Sequence, residues 1–195
     1  MSLTGISSAF NTTIAIWLPT VLIREHGMTA SQAGYTIALV AVPAGLFGNF
    51  FWQWWGTRLQ MRNAAKGHVH AFIIPTLMTG PCYIAGFLTS NVTLQLVGFA
   101  AGLFAGVAFN VLTQIAIQFY TPAQMRARMV SINYLAVSLL GYGLGPSAAV
   151  ELGQHLTEGS SDLRYGLIGL TAIAWPLLIL VTMTAVRNAD GPAEA

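Results

Sequence analysis

Asn110, Gln114 and Gln118 stand four residues apart within 67–125, a stretch that has no Asp, Glu, Lys or Arg. On a helix that spacing lines the three carboxamides along one face, with Thr113 beside them. A second polar group is Asn11, Thr12 and Thr13, and a third is Asn133, Tyr134 and Ser138. Carboxamides and hydroxyls donate and accept hydrogen bonds at neutral charge. Their chemistry is therefore recognition of a polar solute, or of one another, and not bond cleavage. Facing hydrocarbon without a partner, each would cost several kcal/mol on membrane-core estimates of roughly that size. They must meet protein or water. Two readings stay open: interhelical hydrogen bonds, each worth under about 1 kcal/mol, or the wall of a polar cavity.

The other reactive types point away from catalysis and from metal. His68 and His70 flank a valine with no third ligand near in sequence, which suits an interface better than a metal pair. His26 and His155 fall in short polar segments. Glu151 follows 22 uncharged residues from 129 to 150, about 33 Å at helical rise, and so belongs at a membrane boundary. Gly141-Tyr142-Gly143-Leu144-Gly145-Pro146 has no Lys or Ser/Thr placed as a phosphate loop requires. It reads instead as a small-residue face for close helix contact, with Pro146 withholding one donor and bending the helix. Tyr134, Ser138, Gly141 and Gly145, spaced four, three and four, would extend that face. Cys82 is the single cysteine, so neither an intrachain disulfide nor a thiolate metal cage is available. No enzyme motif and no cofactor signature is present.

The elements that carry these residues follow from the missing charges. Of 195 residues, 55% are hydrophobic and 7% charged, against about 25% charged in soluble domains; mean hydropathy is +0.65. Lys+Arg 8 against Asp+Glu 6 leaves no basic stripe for nucleic acid. The uncharged runs 1–23, 26–57, 67–125, 129–150 and 165–186 each hold a helix of the roughly 20 residues a bilayer requires, and the longest holds two, parted at Thr89-Ser90-Asn91. The expectation is an all-α polytopic membrane protein with six transmembrane helices at about 3–22, 33–55, 69–88, 93–119, 129–151 and 165–186, and a tail at 189–195. Transmembrane β-strands would be about 10 residues long and alternating, which these runs are not.

Loop charge sets the expected orientation. Arg58, Arg62, Lys66, Arg126, Arg128 and Arg187 follow the even-numbered spans, whereas only Arg24 and Arg164 follow the odd ones. Six against two predicts that the even loops and both termini are cytoplasmic. Trp52, Trp54, Trp55 and Trp17 are expected to anchor at the interfaces. The abrupt apolar start lacks the basic region of a signal peptide and suggests half of something longer.

In order along the chain, several segments resemble the carboxy-terminal half of a major facilitator superfamily transporter. Trp17-Leu18-Pro19 with Gly27-Met28-Thr29 and Gly34 is similar to the end of that family's seventh helix and the start of its eighth. Gly56-Thr57-Arg58-Leu59 and Arg62 resemble its cytoplasmic loop signature, with Thr57 where Asp is usual. Thr121-Pro122 and Met125-Arg126-Ala127-Arg128 resemble the loop after the tenth helix. The glycine-rich segment through Pro146 resembles the eleventh helix, and Leu163-Arg164-Tyr165-Gly166-Leu167 the start of the twelfth. The set most resembles the spinster-like branch and its bacterial relatives. The resemblance implies a secondary carrier of a small organic solute, working by alternating access in a bacterial inner membrane, with this chain supplying one six-helix bundle. The partner would be an amino-terminal bundle or a second copy. Asn11, Thr12, Asn110, Thr113, Gln114, Asn133, Tyr134 and Ser138 would then face the cavity, with Gly141, Gly145 and Pro146 in packing or gating. The alternative is a half-length membrane protein without transport of its own, acting in assembly.

Overall fold

Helices begin and end here where the chain supplies an end signal. The computed structural model describes residues 2–62, 66–156 and 163–190. It contains α1 (Ser2–His26), α2 (Ala30–Arg62), α3 (Gly67–His70), α4 (Ile73–Leu88), α5 (Val92–Tyr120), α6 (Ala123–Val137), a π-helical segment (Ser138–Leu144), α7 (Gly145–Leu156) and α8 (Leu163–Asp190). Gly27, at φ 63°, stops α1 in the left-handed conformation that costs a residue without a Cβ least. Thr29 and Gln32 then form a reciprocal capping box at the start of α2: Thr29 N donates to Gln32 Oε1 at 3.0 Å and Gln32 N to Thr29 Oγ1 at 3.3 Å. Asn91 caps α5 by accepting from the backbone of Thr93 and Leu94.

Five helical stretches among the described residues are long and apolar enough to cross a membrane: Thr4–His26, Ala30–Arg62, Val92–Tyr120, Ala123–His155 and Arg164–Asn188. The run expected as a continuous helix over 69–88 is divided. Pro75 has no N–H to offer the carbonyl four residues earlier at Ala71. The chain makes a turn at 71–72, with Phe72 N donating to Val69 O at 3.2 Å. Beyond the turn, α4 has 16 residues, about 24 Å at 1.5 Å per residue. The tail read as 189–195 is helical as far as Asp190; residues 191–195 and the side chain of His68 lie outside the described set.

Pro146 follows a change of helix type. The carbonyl of Tyr142 loses its α-helical donor there. Just before it the helix opens into the π segment, where Gly145 N donates to Leu140 O five residues back. Ser147 Oγ turns onto the carbonyl of Leu144 at 3.0 Å.

The bundle is organised on α5. Gly48, Trp52, Gly56 and Gln60, one every four residues, are the buried stripe of α2 against it. A Cβ at Gly48 would lie 3.1 Å from the carbonyl of Phe104, and Trp52 Nε1 donates to that same oxygen at 2.6 Å. Gln60 Nε2 donates to Tyr120 Oη at 2.8 Å. Trp52 is thus a core residue, 1% exposed, and not an interface anchor; Trp54 remains exposed, with the Arg58 guanidinium 5.5 Å above its ring. Across α4, Gly98 meets Gly86 so closely that a Cβ would stand 2.6 Å from its Cα. On α8, Trp175 fills the notch at Gly80 and donates to Thr76 O at 2.8 Å. Gly166 meets the backbone of α7 at Ala149 and Gly153.

These contacts place the chain ends. Gln60 beside Tyr120, Thr4 beside Thr113 and Thr76 beside Thr182 gather Arg58, Arg62, Lys66, Arg126, Arg128 and Arg187 toward one end of the bundle. Arg24 and Arg164 lie toward the other. There Arg164 Nη1 is 3.5 Å from Glu25 Oε2, its Nε donates to the carbonyl of Phe87, and His26 Nε2 is 3.1 Å from Gln95 Oε1.

Candidate functional site

The polar residues inside the bundle fall into two sets. Asn11 belongs to the interior. Its Nδ2 donates to Ser7 O at 2.8 Å and Ser7 Oγ at 3.0 Å, and its Oδ1 accepts from Tyr83 Oη at 2.7 Å. The amide lies over Gly106, where a Cβ would collide with its Oδ1 and displace it. Thr113 is also buried, hydrogen-bonded to Thr4 across α1 and α5 at 2.9 Å. Thr12 is half-buried, its hydroxyl 3.1 Å from where a Cβ on Gly141 would lie. Asn133 is wholly buried, and neither side-chain atom of its amide has a partner among the described residues. In these four the polar groups are committed to, or enclosed by, helix contacts.

The second set is open. Asn110 and Gln118 are exposed and Gln114 half-buried. At 3.6 residues per turn they share a face with Leu103 and Val107. That face lies between the side of α5 that receives α1 (Gly106, Thr113) and the side that receives α2 (Phe104, Leu112, Ile115). Beside it, between α2 and α5, runs an apolar cleft of about 650 Å³ lined by Leu39, Pro43, Phe47, Leu96, Ala100 and Phe104. Tyr134 on α6 is 55% exposed, and Ser138 and Tyr142 of the π segment are exposed as well. The arrangement can hydrogen-bond a neutral polar group and cover an apolar one. It offers no formal charge.

Tyr134, Ser138, Gly141 and Gly145 do not form one face. Gly141 packs on Ser8 and Thr12, and Gly145 on Ala9 and Thr13, while Tyr134 and Ser138 look outward. The π turn between them has more residues than an α turn and advances fewer degrees per residue. Gly141 therefore falls off the face that α spacing from Ser138 would give it. Trp17 Nε1, 3.4 Å from the carbonyl of Pro146, completes the seam with α1. Sequence periodicity missed Trp52, Tyr83 and Gln60 as bundle organisers. The four-residue repeat Gly48-Trp52-Gly56-Gln60 was the signal available for two of them. Arg58, Arg126 and Arg128 are exposed at the basic end, as is Arg62. Among the described residues no three His, Cys, Asp or Glu side chains stand together as metal ligands would.

The described residues form an all-helical bundle with a polar stripe on α5 and glycine seams between its helices. The chain belongs to the Major Facilitator Superfamily, whose profile matches residues 1–195. Among solved structures it is similar to a bacterial homologue of the human lysosomal transporter Spinster. In the inward-facing, occupied conformation of that protein the TM-score is 0.70 at 19% identity, over 98% of this chain and 50% of that one. In the inward-facing, unoccupied conformation the TM-score is 0.72 at 19% identity, over 98% and 49%. This chain therefore spans about half the length of the structures it matches. No curated protein matches it.

Proposed function

We propose that this chain is the carboxy-terminal six-helix bundle of a secondary carrier that moves a small organic solute by alternating access. The observation that carries the reading is the stripe on α5 of exposed Asn110 and Gln118 with half-buried Gln114 between them, whose amides need water, solute or a facing protein wall. Tyr134 on α6 and Ser138 at the start of the π segment flank it in this reading, and the missing face is supplied by an amino-terminal bundle or a second copy. Asn11, Thr12 and Thr113 serve the same cavity from behind, by fixing the helices that line it, and Asn133 is enclosed behind it on α6. The divided run at 67–88 counts as the sixth span, α3 and α4 together. The basic end lies in the cytoplasm of a bacterial inner membrane, by the excess of Lys and Arg there; reporter fusions at both termini should read cytoplasmic.

The test is chemical access in the membrane. In a Cys82→Ala background, Asn110→Cys and Gln114→Cys should react with a membrane-impermeant thiol reagent added to opened vesicles. Ile173→Cys, exposed on α8, should stay unreactive in lipid. Equal silence at all three positions would show that the stripe is covered and sink the cavity. That outcome would favour the alternative, an assembly partner without transport of its own.

A further inference from the structure

On the side of α5 away from the carboxamide stripe, α4 and α8 enclose a second cleft, of about 260 Å³. Its walls are Ile73 and Leu77 from α4 and Ile179, Met183 and Val186 from α8, and Arg187 stands at its mouth. The polar floor is already satisfied. Thr182 Oγ1 donates to Leu178 O at 2.8 Å, which leaves Thr76 Oγ1 to donate to Thr182 at 3.1 Å. Both threonines are buried. Nothing in the cleft asks for a hydrogen-bonding ligand; everything in it below the arginine is suited to hydrocarbon.

Depth and charge narrow the occupant. From Arg187 to Ile179 is eight residues of α8, about 12 Å at 1.5 Å per residue. One leaflet contributes about 15 Å of the hydrocarbon core, so the cleft begins at a membrane surface and ends within the same leaflet. Its volume is below the roughly 300 Å³ at which pockets for drug-sized molecules start. Arg187 is exposed, and no side chain or carbonyl among the described residues is bonded to its guanidinium. Lys66, at the start of α3, belongs to the same end, and α3 packs on α8. An arginine over an apolar slot between helices, at the basic end of the bundle, is suited to an anionic headgroup.

We propose that the α4–α8 cleft is a binding site for an anionic phospholipid, one acyl chain lying between Leu77 and Met183 and the phosphate against Arg187. The site rests on the membrane-spanning placement of the bundle and not on the transport reading. If the stripe on α5 fails its labelling test, the lipid site is untouched.

The experiment is native mass spectrometry of the purified chain with added phosphatidylglycerol or phosphatidylcholine of matched acyl chains. Wild type should retain phosphatidylglycerol several-fold more than phosphatidylcholine. Arg187→Gln should bring the two to parity. Met183→Trp, which fills the slot from an exposed position, should lower both several-fold, whereas Ile173→Trp, elsewhere on α8, should lower neither. Thermal unfolding of each variant separates loss of the site from loss of the fold. Soluble glycerol 3-phosphate should not compete. Equal retention of the two lipids by wild type would overturn the proposal. So would an undiminished preference in Arg187→Gln, or displacement of the lipid by glycerol 3-phosphate, which would make the site one for phosphate alone.

Discussion

Tyr83 on α4 donates its hydroxyl to the Oδ1 of Asn11 on α1 at 2.7 Å. The bond crosses the bundle through the gap left by two glycines of α5: the ring lies on Gly102 and the amide on Gly106. Three helices are therefore held by one polar contact that is possible only because α5 has no Cβ at those positions. Asn11 is half-buried and Tyr83 is 1% exposed, so water is a poor substitute for either partner. Removal of the hydroxyl in Tyr83→Phe should lower stability by about 1 kcal/mol, near the measured range for hydrogen bonds between membrane helices. Asn11→Ala should cost a similar amount, and the double variant less than the sum. Additive losses in detergent unfolding would show that the two residues act independently.

The seam between α1 and the π segment makes a sharper distinction between two neighbouring glycines. A Cβ on Gly145 would collide with Thr13 Oγ1 and the carbonyl of Ala9, whereas a Cβ on Gly143 would come no nearer than 4.0 Å to the carbonyl of Ser138. Gly145→Leu should destabilise by roughly 1–3 kcal/mol through overpacking. Gly143→Ala should be neutral or slightly stabilising, since it removes chain entropy from the unfolded state. Thermal unfolding of both variants checks the pair; equal behaviour would place the seam elsewhere.

Asn133 gives a prediction of opposite sign. It is 0% exposed and its amide is unpartnered among the described residues, so a polar group is enclosed without the hydrogen bonds it would make in water. Replacement by the near-isosteric Leu removes that penalty. Asn133→Leu should raise stability by about 1–3 kcal/mol, read as an upward shift of the unfolding midpoint. A fall would mean that the amide is satisfied, for instance through a bound water.

How much of this was legible in the sequence depends on which physical signal each feature leaves. Membrane helices announce themselves by absent charge, so the long apolar stretches that end at His26, Arg62 and Tyr120 were readable. The break before α4 was not, because Pro75 lies only a few residues into an apolar run and hydropathy carries no trace of a lost N–H. Carboxamide spacing on α5 was readable and put Asn110, Gln114 and Gln118 on one face. Burial was not: Asn11 and Asn110 are the same residue type in similar settings, and only the position of Tyr83 and Gly106 shows that one is enclosed. The three tryptophans near residue 54 looked alike by composition. Their four-residue relation to Gly48 and Gly56 separates Trp52, which faces α5, from Trp54, which does not. The misreading of Gly141 with Ser138 came from assuming α geometry where the chain ahead of Pro146 is π-helical.

The final prediction concerns coupling. Proton-driven carriers hold an ionisable side chain inside the membrane, where burial tunes its titration as access alternates. No Asp, Glu, Lys or Arg occurs in 26–57, 67–125, 129–150 or 165–186, and α1 carries its first charge at Arg24. The nearest carboxylate to the bundle interior on α7 is Glu151, yet its side chain is exposed and pairs with the equally exposed His155 at 3.5 Å. Glu25 is held at the same end by Arg164. This bundle alone therefore has no group to carry a proton across its middle. Reconstituted in liposomes loaded with a pH-sensitive dye, it should admit protons no faster than protein-free liposomes when a pH gradient is imposed. Glu151→Gln should leave that trace unchanged. Proton entry by the wild-type chain that Glu151→Gln abolishes would place a working carboxylate in this bundle and overturn the prediction.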